Sequence, residues 1–249
     1  RHILIIFSIF LFSFTVISCA KKSDSTTSDN TTTSSGLYVA VGDNGTILTS
    51  TDGTTWDNRS YETPSRLRAV NHANSTFMTV GYTDEIILSS SDGISWDSIR
   101  SGTGNLRGVA YGNNKFVVVG LSGHISTSSD GTSWDNRSSG TTSNIVGVTY
   151  GNSKFLTLIS PWTGVSDDNM SDGDNSSPTT GTVLTSSNGT TWTSDNATCS
   201  TCDNSSFTLT DITYGNSTFV VVGWKGTILT SSDGISWTQR TSGSQQFHL

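Results

Sequence analysis

A chain of 249 residues with 25 glycines, only 13% charged residues and abundant Ser, Thr, Asn and Asp is built for many short strands joined by tight turns, and has few helix formers. Its length fits a single closed all-β domain. Thirteen cationic against 20 acidic side chains, with no basic stripe, argue against a nucleic-acid partner, because affinity for that backbone comes mainly from clustered cations.

Residues 3–17, ILIIFSIFLFSFTVI, are too short for a comfortable transmembrane helix and have the form of the apolar region of a secretory signal. The following Val16-Ile17-Ser18-Cys19 resembles the lipobox of bacterial lipoproteins. That resemblance implies cleavage before Cys19, a diacylglycerol on its thiol, and a signal peptide over 1–18. Residues 19–36 then hold the lipidated Cys and a polar run without apolar periodicity, a flexible tether with Lys21 and Lys22 near lipid headgroups. Ala20, rather than Asp, after the Cys favours the outer membrane of an exported, envelope-anchored protein.

From Leu37 the chain repeats. Ser-x-Asp/Asn-Gly-x-x-Trp recurs five times, with its polar residue at Asp52, Asp92, Asp130, Asn188 and Asp233 and its indole at Trp56, Trp96, Trp134, Trp192 and Trp237. A second marker, Tyr-Gly-Asn-x-x-Phe, runs from Tyr111 to Phe116, Tyr150 to Phe155 and Tyr214 to Phe219, with a degenerate copy from His72 to Phe77. A period near 40 with several strands per repeat points to a β-propeller rather than a helical solenoid. Within one unit, strand a is expected at Leu106 to Tyr111, b at Lys115 to Gly120, c at His124 to Ser128 and d at Ser133 to Ser138. Strand b is apolar on both faces, as a strand buried between blades should be, and the outer strand is polar, which guards a sheet edge.

The Asp/Asn-Gly-x-x-Trp marker resembles the Asp-box, or BNR, repeat of sialidase-like propellers, one residue shorter than its usual form. The resemblance implies a propeller over 37–249. The Asp forms an Asx turn, the Gly takes φ > 0 and the Trp plugs a gap beneath the hairpin, so all ten box residues are scaffold. The expected fold is all-β, with five four-stranded blades. The first repeat begins at strand b, and the C-terminal residues, aligned with Ser101 to Gly108, are expected to close the ring.

A blade wound outward from the axis puts its a–b and c–d turns on one face, and its b–c turns and d–a links on the other. Two insertions, 160–180 and 194–206, fall on the b–c/d–a face, opposite the boxes, and nominate it as the binding surface. Trp162 and Trp224 map there with Tyr82. They either stack on a sugar or anchor a protein partner, or else pack the long loop down. Arg68 and Arg107, with Arg66, start strand a near the same rim, and serve either to bind an anion or as paired surface charges.

Asp167, Asp168, Asp172 and Asp174 lack the oxygen spacing of a calcium loop, so no metal or other cofactor is expected. Cys199 and Cys202 have neither redox nor zinc context, and a local disulfide is the expected pairing in an exported protein. The sialidase resemblance implies an arginine cluster, a Tyr activated by Glu and an acid/base carboxylate. Here only Glu62 and Glu85 are present, and no Gly-x-Ser-x-Gly, Walker loop or His-Glu-x-x-His occurs. The expectation is therefore a monomeric, lipid-anchored, non-enzymatic module binding a protein or glycan. A sialidase-like glycoside hydrolase and a propeller of the photosystem assembly-factor kind are the alternatives.

Overall fold

Each repeat forms the antiparallel four-stranded sheet that its markers imply, and five such sheets make a five-bladed β-propeller. The structure, a computed structural model, describes residues 16–22, 36–82, 86–100, 105–160, 182–199, 209–223 and 226–242. Blade one is β1 (Val16–Lys22), β2 (Leu37–Gly42), β3 (Ile47–Ser50) and β4 (Asp57–Asn58). Blade two is β5 (Arg66–Ala73), β6 (Thr76–Tyr82), β7 (Ile86–Ser90) and β8 (Asp97–Arg100). Blade three is β9 (Leu106–Gly112), β10 (Lys115–Gly120), β11 (Ile125–Ser128) and β12 (Asp135–Arg137). Blade four is β13 (Asn144–Gly151), β14 (Lys154–Ser160), β15 (Thr182–Ser186) and β16 (Thr193–Asn196). A two-residue strand, β17 (Thr198–Cys199), precedes blade five, which is β18 (Leu209–Gly215), β19 (Thr218–Gly223), β20 (Thr227–Ser231) and β21 (Ser236–Arg240). β17 runs parallel to β21 and covers the outer edge of the last blade.

The first and second strands of blades two to five are joined by two-residue turns with positive φ at both positions, as at Asn113 (44°) and Asn114 (56°) or Asn152 (48°) and Ser153 (59°). This is the turn whose twist matches the flanking strands, and Asn tolerates it best after Gly. Gly112, expected within the turn, instead ends β9, where it serves packing. A Cβ there would lie 2.0 Å from Cγ of Tyr150 in the next blade, and one on Gly151 would lie 2.1 Å from Cγ of Tyr214. The Tyr-Gly marker is thus an interlock between neighbouring blades.

Apolar side chains on the second strand alternate between the two neighbours of a blade. Phe116 and Val118 pack with Met78, Val80 and Ile87 of blade two, while Val117 and Val119 pack with Val148, Phe155 and Leu184 of blade four. This is why strand b is apolar on both faces. Among the described residues the buried apolar side chains fall into four clusters, at the junctions one–two, two–three, three–four and four–five. Phe77, Phe116, Phe155 and Phe219 are fully buried in them, and each such side chain contributes about 1.5–3 kcal/mol.

The innermost strand of blade one is β1, from residues that the sequence reading placed in the signal peptide and tether. It pairs with β2 from Val16 opposite Gly42 to Lys22 opposite Leu37. Sequence reasoning sought this strand at the C-terminus. Residues 243–249 lie outside the described residues, and β1 occupies the place beside β2. Every innermost strand carries a bulge at the same register position, occupied by Ile17, Arg68, Arg107, Val146 and Thr210 in blades one to five.

Candidate functional site

The two faces of the propeller differ in chemistry. On the a–b/c–d face each box is a closed hydrogen-bonded turn. The Asp92 carboxylate accepts the N–H groups of Ile94 and Ser95 at 2.8 Å, while Ser90 Oγ donates to it at 2.9 Å and accepts Gly93 N–H at 2.8 Å. Asp52, Asp130, Asn188 and Asp233 repeat this arrangement. The same backbone donors hold Asp92 and Asp233 at a pKa of about 2, and Asp52 and Asp130 well below the usual carboxylate range. The box glycines have φ between 74° and 79°.

The box indoles lie at blade junctions. Trp96, Trp134, Trp192 and Trp237 each pack on the cluster shared with the preceding blade, and Trp96 and Trp192 donate Nε1–H to the box glycine carbonyl at 3.1 Å. Trp56 is the exception, at 38% exposure. Bonds between blades fix the turns together: Asn113 Nδ2 reaches the Ser187 carbonyl at 3.2 Å, and Asn152 Nδ2 reaches that of Ser232 at 3.4 Å. In every box the Oδ1 atom is committed to the turn's own backbone donors, which makes the boxes part of the scaffold.

On the b–c/d–a face, links between blades fold across the b–c turns of blades one and three. Gly45 N–H donates to the Ser65 carbonyl, the Gly45 carbonyl accepts Tyr61 N–H, and Leu121 N–H donates to the Asn105 carbonyl. Ser122 N–H is held by Asn144 Oδ1 at 3.0 Å. Gly45 and Gly123, both at positive φ, admit this closeness, since a Cβ would lie 2.1 Å from the Tyr61 carbonyl and 1.9 Å from that of Thr141, respectively.

The arginines stand at this end of the inner strands. Arg68 and Arg107 occupy the bulged position in neighbouring blades, both half-buried. A bulge breaks the alternation of the strand and re-aims one side chain, which is how these two depart from the apolar pattern around them. The Arg68 guanidinium carbon sits 6.0 Å from the centroid of the Tyr82 ring, a cation–π distance. Arg66 Nε lies 3.8 Å from Asp43 Oδ1 of blade one. In blades four and five the bulge carries Val146 and Thr210, so the cationic character belongs to one side of the ring. On the other side Asp211, next to the bulge of blade five, has its pKa raised by desolvation although it accepts Ile212 N–H at 2.8 Å.

The structure thus brings together Arg68, Arg107 and Tyr82 from the sequence-nominated set. Trp162, Trp224, Cys202 and Glu85, and the acidic run 167–174, lie outside the described residues; Cys199 pairs through its backbone with Trp237. Asp43 and the common bulge were missed by sequence reasoning. The bulge could have been found by aligning the strands, where Arg68 and Arg107 fall on one column. Among the described residues no group of His, Cys, Asp and Glu is placed to hold a metal, and no helix is long and apolar enough to cross a membrane.

The fold defines the class: a five-bladed β-propeller. No protein-family model and no curated protein matches the sequence. Solved propellers do match. YCF48 bound to D1 peptide superposes with a TM-score of 0.56 at 19% identity, over 83% of this chain and 63% of that one. A chain of the nidogen/laminin complex gives 0.58 at 10% identity, over 92% and 86%. Virginiamycin B lyase from Staphylococcus aureus gives 0.63 at 12% identity, over 84% and 68%. At these identities the likeness shows the fold alone, and the chain spans less than two thirds of the YCF48 chain. One expectation is corrected: the sequence argument that this is not an enzyme does not stand, because a lyase shares the fold, and neither the fold nor the missing familiar motifs decides the question.

Proposed function

We propose that this chain is a lipid-anchored, cell-envelope propeller of the Asp-box type that captures an acidic segment of a protein ligand on its b–c/d–a face. The observation that carries the reading is the pair Arg68 and Arg107, set by matching bulges on adjacent inner strands, with Tyr82 beside Arg68. Two guanidinium forks on neighbouring strands suit carboxylates spaced along an extended peptide, and the adjacent ring adds a flat apolar contact. Propellers of this shape found with a peptide or within a protein complex are consistent with such a ligand. Cys19 is the anchor in this reading.

Two experiments test it. Envelope extracts passed over the wild-type chain and over the Arg68→Ala/Arg107→Ala double variant should yield a protein band that the variant loses, and raised salt should release it. Identical capture by both chains sinks the site. Mass spectrometry of the purified chain should find an acylated N-terminal Cys19; an unmodified Cys19 sinks the anchor and leaves the ligand face untouched.

A further inference from the structure

In the processed form proposed above, cleavage before Cys19 takes residues 16–18 out of β1 and leaves residues 19–22. The loss falls on buried backbone. Gly42 N–H is turned to the Thr46 carbonyl, at 3.0 Å, on the β3 side. Successive residues of a strand turn their backbone groups to opposite neighbours, so the N–H and C=O of Val41 face β1, where Ser18 stands opposite. Val41 is fully buried. Once residue 18 is gone both of these groups lack a partner, and leaving buried backbone unpaired is costly.

What stands beside that gap is cationic. Ile17 holds the bulge of β1, and Arg68 holds the bulge of β5, the adjoining inner strand, at the same register position. The rim of blade one already presents an acid to blade two in this manner: Asp43, directly after Gly42, lies 3.8 Å from Arg66 Nε. The gap therefore combines a strand edge, two open backbone groups and a guanidinium one blade away.

We infer that the ligand docks as a strand in the place of residues 16–18, antiparallel to β2, with an Asp or Glu at the position of Ile17 reaching Arg68, and that the leader fills this place until it is removed. The inference rests on the processing and the acidic ligand proposed above. The edge of β2 accepts an extended segment in this register, since β1 itself is seated there from Val16 to Lys22. Pairing with a strand edge supplies affinity through main-chain hydrogen bonds, while the side chains alongside choose the residues. Beside Arg68, an acid is favoured over the isoleucine of the leader, because a guanidinium bonds a carboxylate and gains nothing from a methyl group. The leader thus occupies the site in a form that lacks the acid.

The test compares two forms of the full protein in detergent: wild type purified from membranes, and Cys19→Ala, whose intact mass confirms that the leader is retained. The probe is a fluorescein-labelled peptide of residues 16–22 carrying Ile17→Asp and Cys19→Ala, followed by fluorescence anisotropy. It should bind the processed form, and the leader-bearing form about tenfold more weakly. Methylating the peptide nitrogen of residue 18, opposite Val41, should weaken binding about tenfold, as should Arg68→Ala in the protein. Equal binding to both forms, or binding to neither, overturns the inference. So does a methylated peptide that binds as well as its parent while Arg68→Ala still weakens it; the acid is then held by the arginine face without strand pairing, and the proposed function stands. If methylation matters and Arg68→Ala does not, the acidic ligand falls and the inference falls with it. A wild-type chain that retains its leader overturns the inference and the anchor together.

Discussion

Changing Gly112 to Ala separates the interlock reading of the Tyr-Gly marker from a turn reading. If the glycine served only the turn, an alanine at its ordinary φ would be harmless, and would even stabilise by about 0.4–1 kcal/mol through the unfolded chain. The added methyl would instead lie 2.0, 2.3 and 2.4 Å from Cγ, Cδ2 and Cδ1 of Tyr150. Ordinary contact begins at 3.4 Å, so the ring must retreat by more than an ångström. It stacks on Phe155 at 4.7 Å between centroids, and Phe155 is fully buried, so the strain spreads into the junction of blades three and four. Overpacking of this kind costs about 1–3 kcal/mol, about 2–4 °C of melting temperature per kcal/mol in a domain of this size. Gly215→Ala is the matched control, with the same marker and no atom within 4 Å. Urea unfolding should show a lowered midpoint for Gly112→Ala and an unchanged or slightly raised one for Gly215→Ala. Equal midpoints for the two variants would refute the interlock.

Gly151→Ala should behave like Gly112→Ala, since it meets Tyr214 at 2.1 Å. Because Asp92 and Asp233 are held at about 2, below the unfolded value of about 3.9, their contribution is complete above pH 4 and lost as pH falls through 2. An Asp92→Asn/Asp233→Asn chain, which keeps an acceptor oxygen as Asn188 does, should show a flatter loss of stability between pH 4 and 2; an unchanged acid limb would refute the assignment. Ser217→Gly, at φ 57°, should raise the unfolding free energy by about 0.5–1 kcal/mol, and the urea midpoint with it, the left-handed penalty less the extra chain entropy of Gly. A lowered midpoint would show that the Ser217 side chain has a role of its own.

The blade series was legible because each repeat carries its own punctuation. The box Ser and Asp, the paired turn residues and the Phe that starts the second strand recur, so strand b of blade three was placed at its observed limits, Lys115–Gly120. Strand d was drawn too long, since Ser133 and Trp134 belong to the box turn and only Asp135–Arg137 pair with β11. Periodicity could not reveal what happens where the repeat stops. β1 contains neither marker, and Val16 to Lys22 read as the end of a signal peptide and the start of a tether, yet their register against β2 follows that of β9 against β10, bulge included. The burial of single positions was equally hidden: Val220 and Val222 belong to the same Phe-Val-Val-Val run as Val117 and Val119, yet they are half-buried where those two are buried. For the site, residue type drew attention to Arg68 and Arg107, but the reason they act as a pair is a backbone irregularity that no single residue announces.

If Cys19 carries the proposed lipid, the residues of β1 answer to two demands at once. Val16 lies opposite Gly42, at the b–c end, and Lys22 opposite Leu37, at the a–b end. Cleavage before Cys19 would remove the bulged end of the strand and leave four register pairs, from Cys19 opposite Ala40 to Lys22 opposite Leu37. Backbone hydrogen bonds are worth about 0.5–1.5 kcal/mol each in net terms, whereas each acyl methylene placed in a bilayer is worth about 0.8 kcal/mol. With two long chains on Cys19 the membrane wins any contest, so in the lipidated form the strand gives way from its Cys19 end, the end nearest Arg68 and Arg107. The strand would then be held only near Lys21 and Lys22, and trypsin should cut there faster in the acylated chain than in Cys19→Ala, which keeps the whole of β1. Equal cleavage rates would show that anchor and strand coexist, with the acyl chains leaving the propeller directly from its inner strand rather than from the end of a tether.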